Sequence, residues 1–66
     1  MRNKIKIIRA EKGMTQEQLA IKAGISRTSL ALIENEKVVP DGVTIAKLVS
    51  ALDIPANKIF FDLDVV

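Results

Sequence analysis

The chain has 66 residues and a formal net charge of +2, and it contains no cysteine and no histidine. Disulfides, metal sites built from thiols or imidazoles, and catalysis by Cys or His are therefore excluded, and we expect no metal and no cofactor. The length suits one small domain over residues 1–66, and without a long apolar run or a leader-type segment we expect it to be soluble and cytoplasmic.

Charge is unevenly distributed along the sequence. Residues 1–37 carry eight Lys or Arg against four Glu, a balance of +4, whereas residues 38–66 carry two Lys against four Asp, a balance of −2. This asymmetry predicts that the first half faces a polyanion such as nucleic acid and that the second half faces away from it. Ordinary solvated charge on helices is the alternative explanation.

The first predicted helix runs from Asn3, its cap, to about Lys12, and Gly13 ends it. Helical spacing turns one set of side chains inward: Ile5, Ile8 and the stem of Arg9.

The next helix has a strongly marked start. Thr15 can cap it, and Gln18 three residues later completes a capping box, so the helix begins at Gln16. Gly24 stands where a left-handed residue is needed to end the helix and reverse the chain.

A third helix follows at once, capped by Ser26, and its outer face carries Arg27, Thr28, Ala31 and Leu32. Two short helices joined by a turn that contains glycine form a helix-turn-helix, predicted here over residues 16–34. In such motifs the second helix enters the major groove of DNA.

The two remaining helices have fewer sequence signals, but their ends are still marked. Asp41 is the predicted cap of helix 4, Asp53 takes its left-handed stop position, and Pro55 precedes a short helix 5 from Ala56 to about Phe60. Apolar residues recur on one face of helix 4 at Ile45, Leu48, Val49 and Leu52.

The tail over residues 60–66 alternates between apolar and acidic residues, with Phe61, Leu63 and Val65 on one side. A period of two predicts a strand. Since we identify no second strong strand, we expect the same strand of another subunit to pair with it, in a two-fold dimer that also uses the region of helices 4 and 5. A frayed end, or an extension folded over its own core, is the alternative.

Many positions in register resemble the Cro/phage-repressor-like (Xre) family of DNA-binding domains: Arg9, Gly13, Thr15-Gln16, Leu19-Ala20, Gly24, Ser26-Arg27, Glu34-Asn35, Lys37, Pro40, the apolar helix ending near Leu52, and Ile59-Phe60. The resemblance implies an all-α, five-helix lambda-repressor-like domain, to which the alternation of the tail adds a short C-terminal strand at a dimer interface. It also implies a buried ion pair between Arg9 and Glu34. Glu36 departs from the family, whose members mostly have glycine there, so a left-handed turn would be strained.

The resemblance further implies which side chains contact DNA. Base edges would be read by Arg27, Thr28 and Leu32, and phosphates would be bound by Gln16, Ser29, Asn35 and Lys37. For Leu32 the alternative is a core or interface position, and for Ser29 and Asn35 it is a local role in turns.

These features predict a sequence-specific transcriptional regulator, a repressor that binds a palindromic operator in double-stranded DNA as a homodimer. No nucleophile–base pair or phosphate loop accompanies the carboxylates, so an enzyme is not expected. The alternative is a protein-interaction module, such as an antitoxin holding a toxin, in which Ile7, Ile21, Leu32 and the tail contact the partner. The positive mean hydropathy of the chain favours that alternative.

Overall fold

The computed structural model describes residues 1–61, which form five helices and two short strands. In chain order the elements are β1 (Arg2–Asn3), α1 (Ile5–Glu11), α2 (Gln16–Ala23), α3 (Arg27–Glu34), α4 (Gly42–Leu52), α5 (Ala56–Ile59) and β2 (Phe60–Phe61). The mostly helical fold with five helices is confirmed, and α2 and α3 begin at the predicted residues.

One cluster of aliphatic side chains forms the core, and every helix contributes to it. Its central members are fully buried, and each contributes roughly 1.5–3 kcal/mol through the loss of apolar surface to water. In α2, Ala20 is only 2% exposed. Its small side chain lets α3 pack closely against α2. The buried apolar residues are Ile5, Ile8, Leu19, Ala20, Ala23, Leu30, Ile33, Leu48, Ala51, Leu52, Ile59 and Phe60.

Three of the predicted N-terminal caps, Thr15, Ser26 and Asp41, are confirmed. Thr15 and Gln18 form both hydrogen bonds of the capping box, and the Ser26 side chain accepts the backbone N–H of the third residue of α3. At the start of α4 the Asp41 carboxylate accepts the Thr44 backbone N–H at 2.8 Å. At its end Asp53 is left-handed, with φ 57°. Local sequence therefore sets where three of the helices begin.

The Asp41 cap gives the protein a pH-dependent increment of stability. The hydrogen bond from the Thr44 backbone N–H and, after it, the Thr44 side chain hold the pKa of Asp41 below its ordinary value of 3.8. Because the folded state binds this proton more weakly than the unfolded state, the stability increment is complete above the unfolded pKa and is lost as pH falls through the folded pKa.

We expect Asp41→Asn, which keeps an acceptor but does not titrate, to show a smaller fall in Tm than the parent protein on acidification below about pH 4. Equal falls in thermal melts of the two proteins would contradict this.

Helices α1, α2 and α3 all end in a Schellman motif, whose central residue is left-handed. That residue is Gly13 with φ 68° after α1, Gly24 with φ 73° after α2, and Glu36 with φ 61° after α3. At the third of these turns the Lys37 backbone N–H donates to the Leu32 carbonyl oxygen at 2.8 Å. Glycine adopts this conformation freely, whereas a residue with a Cβ carries a cost of about 1–2 kcal/mol. Glu36, which stands where the family mostly has glycine, therefore keeps the left-handed turn and carries local backbone strain.

Replacing Glu36 with glycine is expected to stabilise the protein. Relief of the left-handed strain outweighs the larger conformational entropy that glycine gives the unfolded chain, for a net gain of about 0.5–1 kcal/mol and about 4 °C in Tm. Thermal denaturation checks this, with Glu36→Gln as the matched control, since glutamine removes the charge but keeps the strain. An equal rise in Tm for both variants would assign the effect to charge instead.

The C-terminal strand has a partner in its own chain that the sequence analysis did not identify, and its pairing with another subunit stays a prediction. Strand β2 pairs antiparallel with β1 of the same chain, with Arg2 opposite Phe61 and Asn3 opposite Phe60. A two-residue strand has no visible alternation, so β1 carried no signal in the sequence. Of the residues predicted at the dimer interface, Phe61 lies in this sheet, whereas Leu63 and Val65 lie outside the described residues.

Asn3 belongs to β1 rather than to the first helix. Its side-chain oxygen still accepts the backbone N–H of Ile5, the first residue of α1, at 3.1 Å. Its amide nitrogen donates to the carbonyl oxygen of Ile33 at 2.9 Å. The predicted cap was therefore wrong: Lys4 is the cap residue of α1, whereas Asn3 supports the helix start from one position earlier and ties the N-terminal strand to α3.

Candidate nucleic-acid interface

Helix α3 turns one side to the core and the other to solvent. Leu30 and Ile33 are 0% and 3% exposed, whereas Arg27, Thr28 and Leu32 are exposed. Thr28 and Leu32 stand one helical turn apart, and Arg27 precedes them, so the three predicted base-contacting residues share an accessible surface. Leu32 is 40% exposed, and it is therefore not a core residue.

A buried ion pair fixes the position of this helix. The Arg9 Nε and Nη2 groups donate to the two Glu34 carboxylate oxygens at 2.9 and 3.1 Å, and Arg9 Nη1 donates to the Met14 carbonyl oxygen at 3.1 Å. The Glu34 side chain is fully buried and that of Arg9 is 15% exposed. This confirms the ion pair that the family resemblance implied. It joins α1 to the C-terminal end of α3 in a bidentate geometry, which is directional as well as strong.

Gln16 connects the buried pair to the exposed surface. Its amide nitrogen donates to Glu34 Oε1 at 3.3 Å, and its amide oxygen accepts from Arg27 Nε at 3.3 Å. The structure thus brings together two residues that the sequence predicted as separate DNA contacts. No sequence signal marks this link, because the partners are 11 and 18 positions from Gln16.

The other predicted phosphate contacts lie near the two ends of α3. Ser29 is exposed, but its backbone N–H and its hydroxyl both hydrogen-bond the Ser26 hydroxyl, at 3.0 and 2.9 Å, so it also serves the local turn. Asn35 is the C-terminal cap of α3, and Lys37 follows the left-handed turn; both are exposed. Polar side chains therefore border the accessible face at both of its ends.

Other kinds of site are not found among residues 1–61. In that range no group of acidic residues is arranged to hold a metal ion. No helix there has the length and apolar character needed to cross a membrane.

Comparison with known proteins identifies the family. The helix-turn-helix family model matches residues 5–59, which include all five helices. The chain is 43% identical over 56 residues to the immunity repressor protein of Bacillus phage phi105, a match that covers 85% of this chain and 39% of the repressor. The chain thus corresponds to less than half the length of that relative.

Solved structures agree with this match. The restriction-modification controller protein C.AhdI from Aeromonas hydrophila superposes with a TM-score of 0.80 at 34% identity, over 85% of each chain. The biofilm regulator SinR of Bacillus subtilis, solved in complex with DNA, superposes with a TM-score of 0.75 at 33% identity, over 80% of this chain and 86% of SinR. The chain belongs to the helix-turn-helix family of DNA-binding transcriptional regulators.

Proposed function

We propose that this protein binds double-stranded DNA as a two-fold dimer on a palindromic operator and represses transcription there. The observation that carries the proposal is the exposed face of α3, formed by Arg27, Thr28 and Leu32, on a helix held in place by the buried Arg9–Glu34 pair. A protein bound over a promoter excludes polymerase, which makes repression the direct consequence of occupancy. The phage phi105 relative is itself named a repressor, which supports this direction. The proposal places this protein in the cytoplasm, where it binds the chromosome.

The three exposed residues of α3 have different roles in base readout. Arg27 Nε is engaged by Gln16, and its Nη1 and Nη2 atoms donate to no group within residues 1–61, so the outer edge of the guanidinium can pair with guanine O6 and N7. The Thr28 hydroxyl can donate or accept, and its methyl group can contact thymine. Leu32 has no hydrogen-bonding group and reads only apolar base edges.

Phosphate contacts set the docking of the domain on the duplex. Gln16 is the first residue of α2, where free backbone N–H groups and the helix dipole favour an anion. Lys37 supplies a cation beyond the other end of α3, and Ser29 and Asn35 supply neutral polar groups. Glu36 opposes the binding, because its negative charge stands next to Lys37.

A dimer places two copies of α3 about 34 Å apart, one turn of B-DNA. We propose that it forms through the region of α4 and α5 together with the tail residues Phe61, Leu63 and Val65. Within the described range, Phe61 is half-buried, and the Lys4 ammonium lies 5.6 Å from its ring centroid. The other edge of β2, away from β1, remains the place where a second copy can add.

Selection of bound fragments from the source genome tests the proposal, because it returns the site, its spacing and its symmetry together. We expect a palindrome bound by two protomers, as measured by gel shift and by sedimentation of the complex. Insertion of about 5 base pairs between the half-sites rotates them by half a turn and should abolish cooperative binding. Selection of unrelated fragments, or tight binding by one protomer to a single half-site, would contradict the proposal.

The protein-interaction alternative has one observation in its favour. Ile21 and Ile7 are 74% and 58% exposed on α2 and α1, although single exposed aliphatic residues are common on proteins. A partner that covers them should change the measured mass of the complex, and Ile21→Asp should weaken its binding. The same variant should leave the affinity for the selected operator unchanged if DNA is the functional ligand.

A further inference from the structure

Leu32 is the one apolar side chain among the three base-reading residues of α3. It is 40% exposed, whereas Leu30 and Ile33 on the same helix are almost fully buried. Burial in the core therefore does not explain why a leucine stands at this position. Leu32 lies one helical turn after Thr28, so both are on the side of α3 that faces base edges under the proposed function.

The loop after α3 adds a second apolar side chain to the groove that Leu32 lines. The left-handed turn at Glu36 folds the chain back, and the Lys37 backbone N–H is bonded to the Leu32 carbonyl oxygen at 2.8 Å. Val38 follows at once and is also 40% exposed. Leu32 and Val38 line one groove of about 450 Å³ between α3, this loop and the start of α4. The groove also has polar lining residues, among them Ser29 and Asp41, so Leu32 and Val38 are apolar positions in a mixed surface that adjoins the proposed DNA-reading face.

The major-groove edges of base pairs offer one apolar group, the C5-methyl of thymine. Cytosine carries hydrogen at the same carbon, and 5-methylcytosine carries the methyl group. From this chemistry we infer that Leu32 and Val38 form a reader of the pyrimidine C5-methyl group. The inference rests on the proposed function and deepens it. Affinity depends on one thymine methyl group in each half-site. If cytosine replaces that thymine, a methyl group on its C5 atom strengthens binding.

The expected size of the effect follows from burying one methyl group. Its removal should weaken binding about fourfold at one half-site. A symmetric dimer contacts two half-sites, so removal of both methyl groups should weaken binding about 15-fold. These changes leave every hydrogen-bonding group of the base pair in place.

The experiment uses the operator returned by genomic selection. Each symmetric pair of thymines is replaced in turn by deoxyuridine, which lacks only the methyl group, and affinities are measured by fluorescence anisotropy. At the position that responds, the pair is then changed to cytosine and to 5-methylcytosine. We expect deoxyuridine to weaken binding about 15-fold and 5-methylcytosine to bind more tightly than cytosine by a similar factor.

Variants assign the response to the two side chains. Leu32→Ala should bind the thymine and deoxyuridine operators equally, and Val38→Ala should reduce the difference between them. Val43→Ala is the matched control, because Val43 is an exposed valine at the start of α4 that does not line the groove. It should keep the full difference. Circular dichroism checks that all three variants are folded.

The possible failures are distinguishable. If the protein selects no specific duplex, the proposed function fails and the inference with it. If it binds its operator but no deoxyuridine substitution weakens binding, the inference alone is wrong. If the deoxyuridine effect persists in both Leu32→Ala and Val38→Ala, the methyl group is read elsewhere and the inference is again wrong.

Discussion

Replacing Arg9 with methionine is expected to remove much or all of the stability of the protein. The variant leaves the fully buried Glu34 carboxylate without its cation, and stranding one partner of a buried ion pair costs about 3–5 kcal/mol. A domain of this length has a total stability of roughly 3–10 kcal/mol. The destabilisation therefore consumes much or all of it. Far-ultraviolet circular dichroism and urea denaturation measure the result.

Two further variants separate this mechanism from the mere absence of an arginine. The double variant Arg9→Met/Glu34→Leu removes both charges and should recover most of the stability, since apolar replacements of buried ion pairs are often neutral. Arg2→Met removes an exposed arginine and should change the free energy of unfolding by less than about 0.5 kcal/mol. If Arg9→Met were as stable as the parent protein, the pair would not be holding α3 in place.

Replacing Arg27 with alanine is expected to weaken DNA binding more than replacing any other proposed DNA-binding residue. A bidentate arginine–guanine interaction contributes about 1–3 kcal/mol, so the affinity should fall roughly 5- to 150-fold for each half-site at which alanine replaces the arginine. The variant should also become indifferent to the identity of one base pair in each half-site. Binding to a panel of operators with single base-pair changes measures both effects.

Lys37→Ala is the informative comparison for Arg27→Ala. Because Lys37 is a proposed phosphate contact, its replacement should weaken binding to all sequences alike and should reduce the salt dependence of binding by about one ion per protomer. Lys12→Ala removes the same charge at the end of α1, outside the helix-turn-helix and outside the proposed dimer region, and should have little effect on affinity. If Arg27→Ala weakened binding to every operator equally, Arg27 would be a phosphate contact rather than a base reader.

Helix boundaries were predictable because they depend on neighbours in the sequence. The Thr15 capping box, the Ser26 and Asp41 caps and the left-handed Gly24 all act on backbone groups within a few residues. The helical spacing of apolar residues then indicated which faces are buried. The exposure of Arg27 and Thr28 follows from the same periodicity.

Long-range partners were predictable only where the family resemblance supplied them. It supplied the Arg9–Glu34 pair, which no spacing rule would give for residues 25 apart. It did not supply the bridge from Glu34 through Gln16 to Arg27, which depends on how α2 and α3 cross. Nothing in the sequence placed Val38 in the same groove as Leu32, because that arrangement depends on the left-handed turn at Glu36.

By itself the sequence determined the helices, their caps and the exposed side of α3, because those features arise from backbone and side-chain interactions within one or two helical turns. Tertiary structure alone decided that β2 pairs with β1. The two strands are two residues long and lie at opposite ends of the described chain, so their pairing depends on the core bringing those ends together. The physical difference is one of range: local hydrogen bonds and periodicity are encoded nearby, whereas contacts across the chain exist only after the helices have packed.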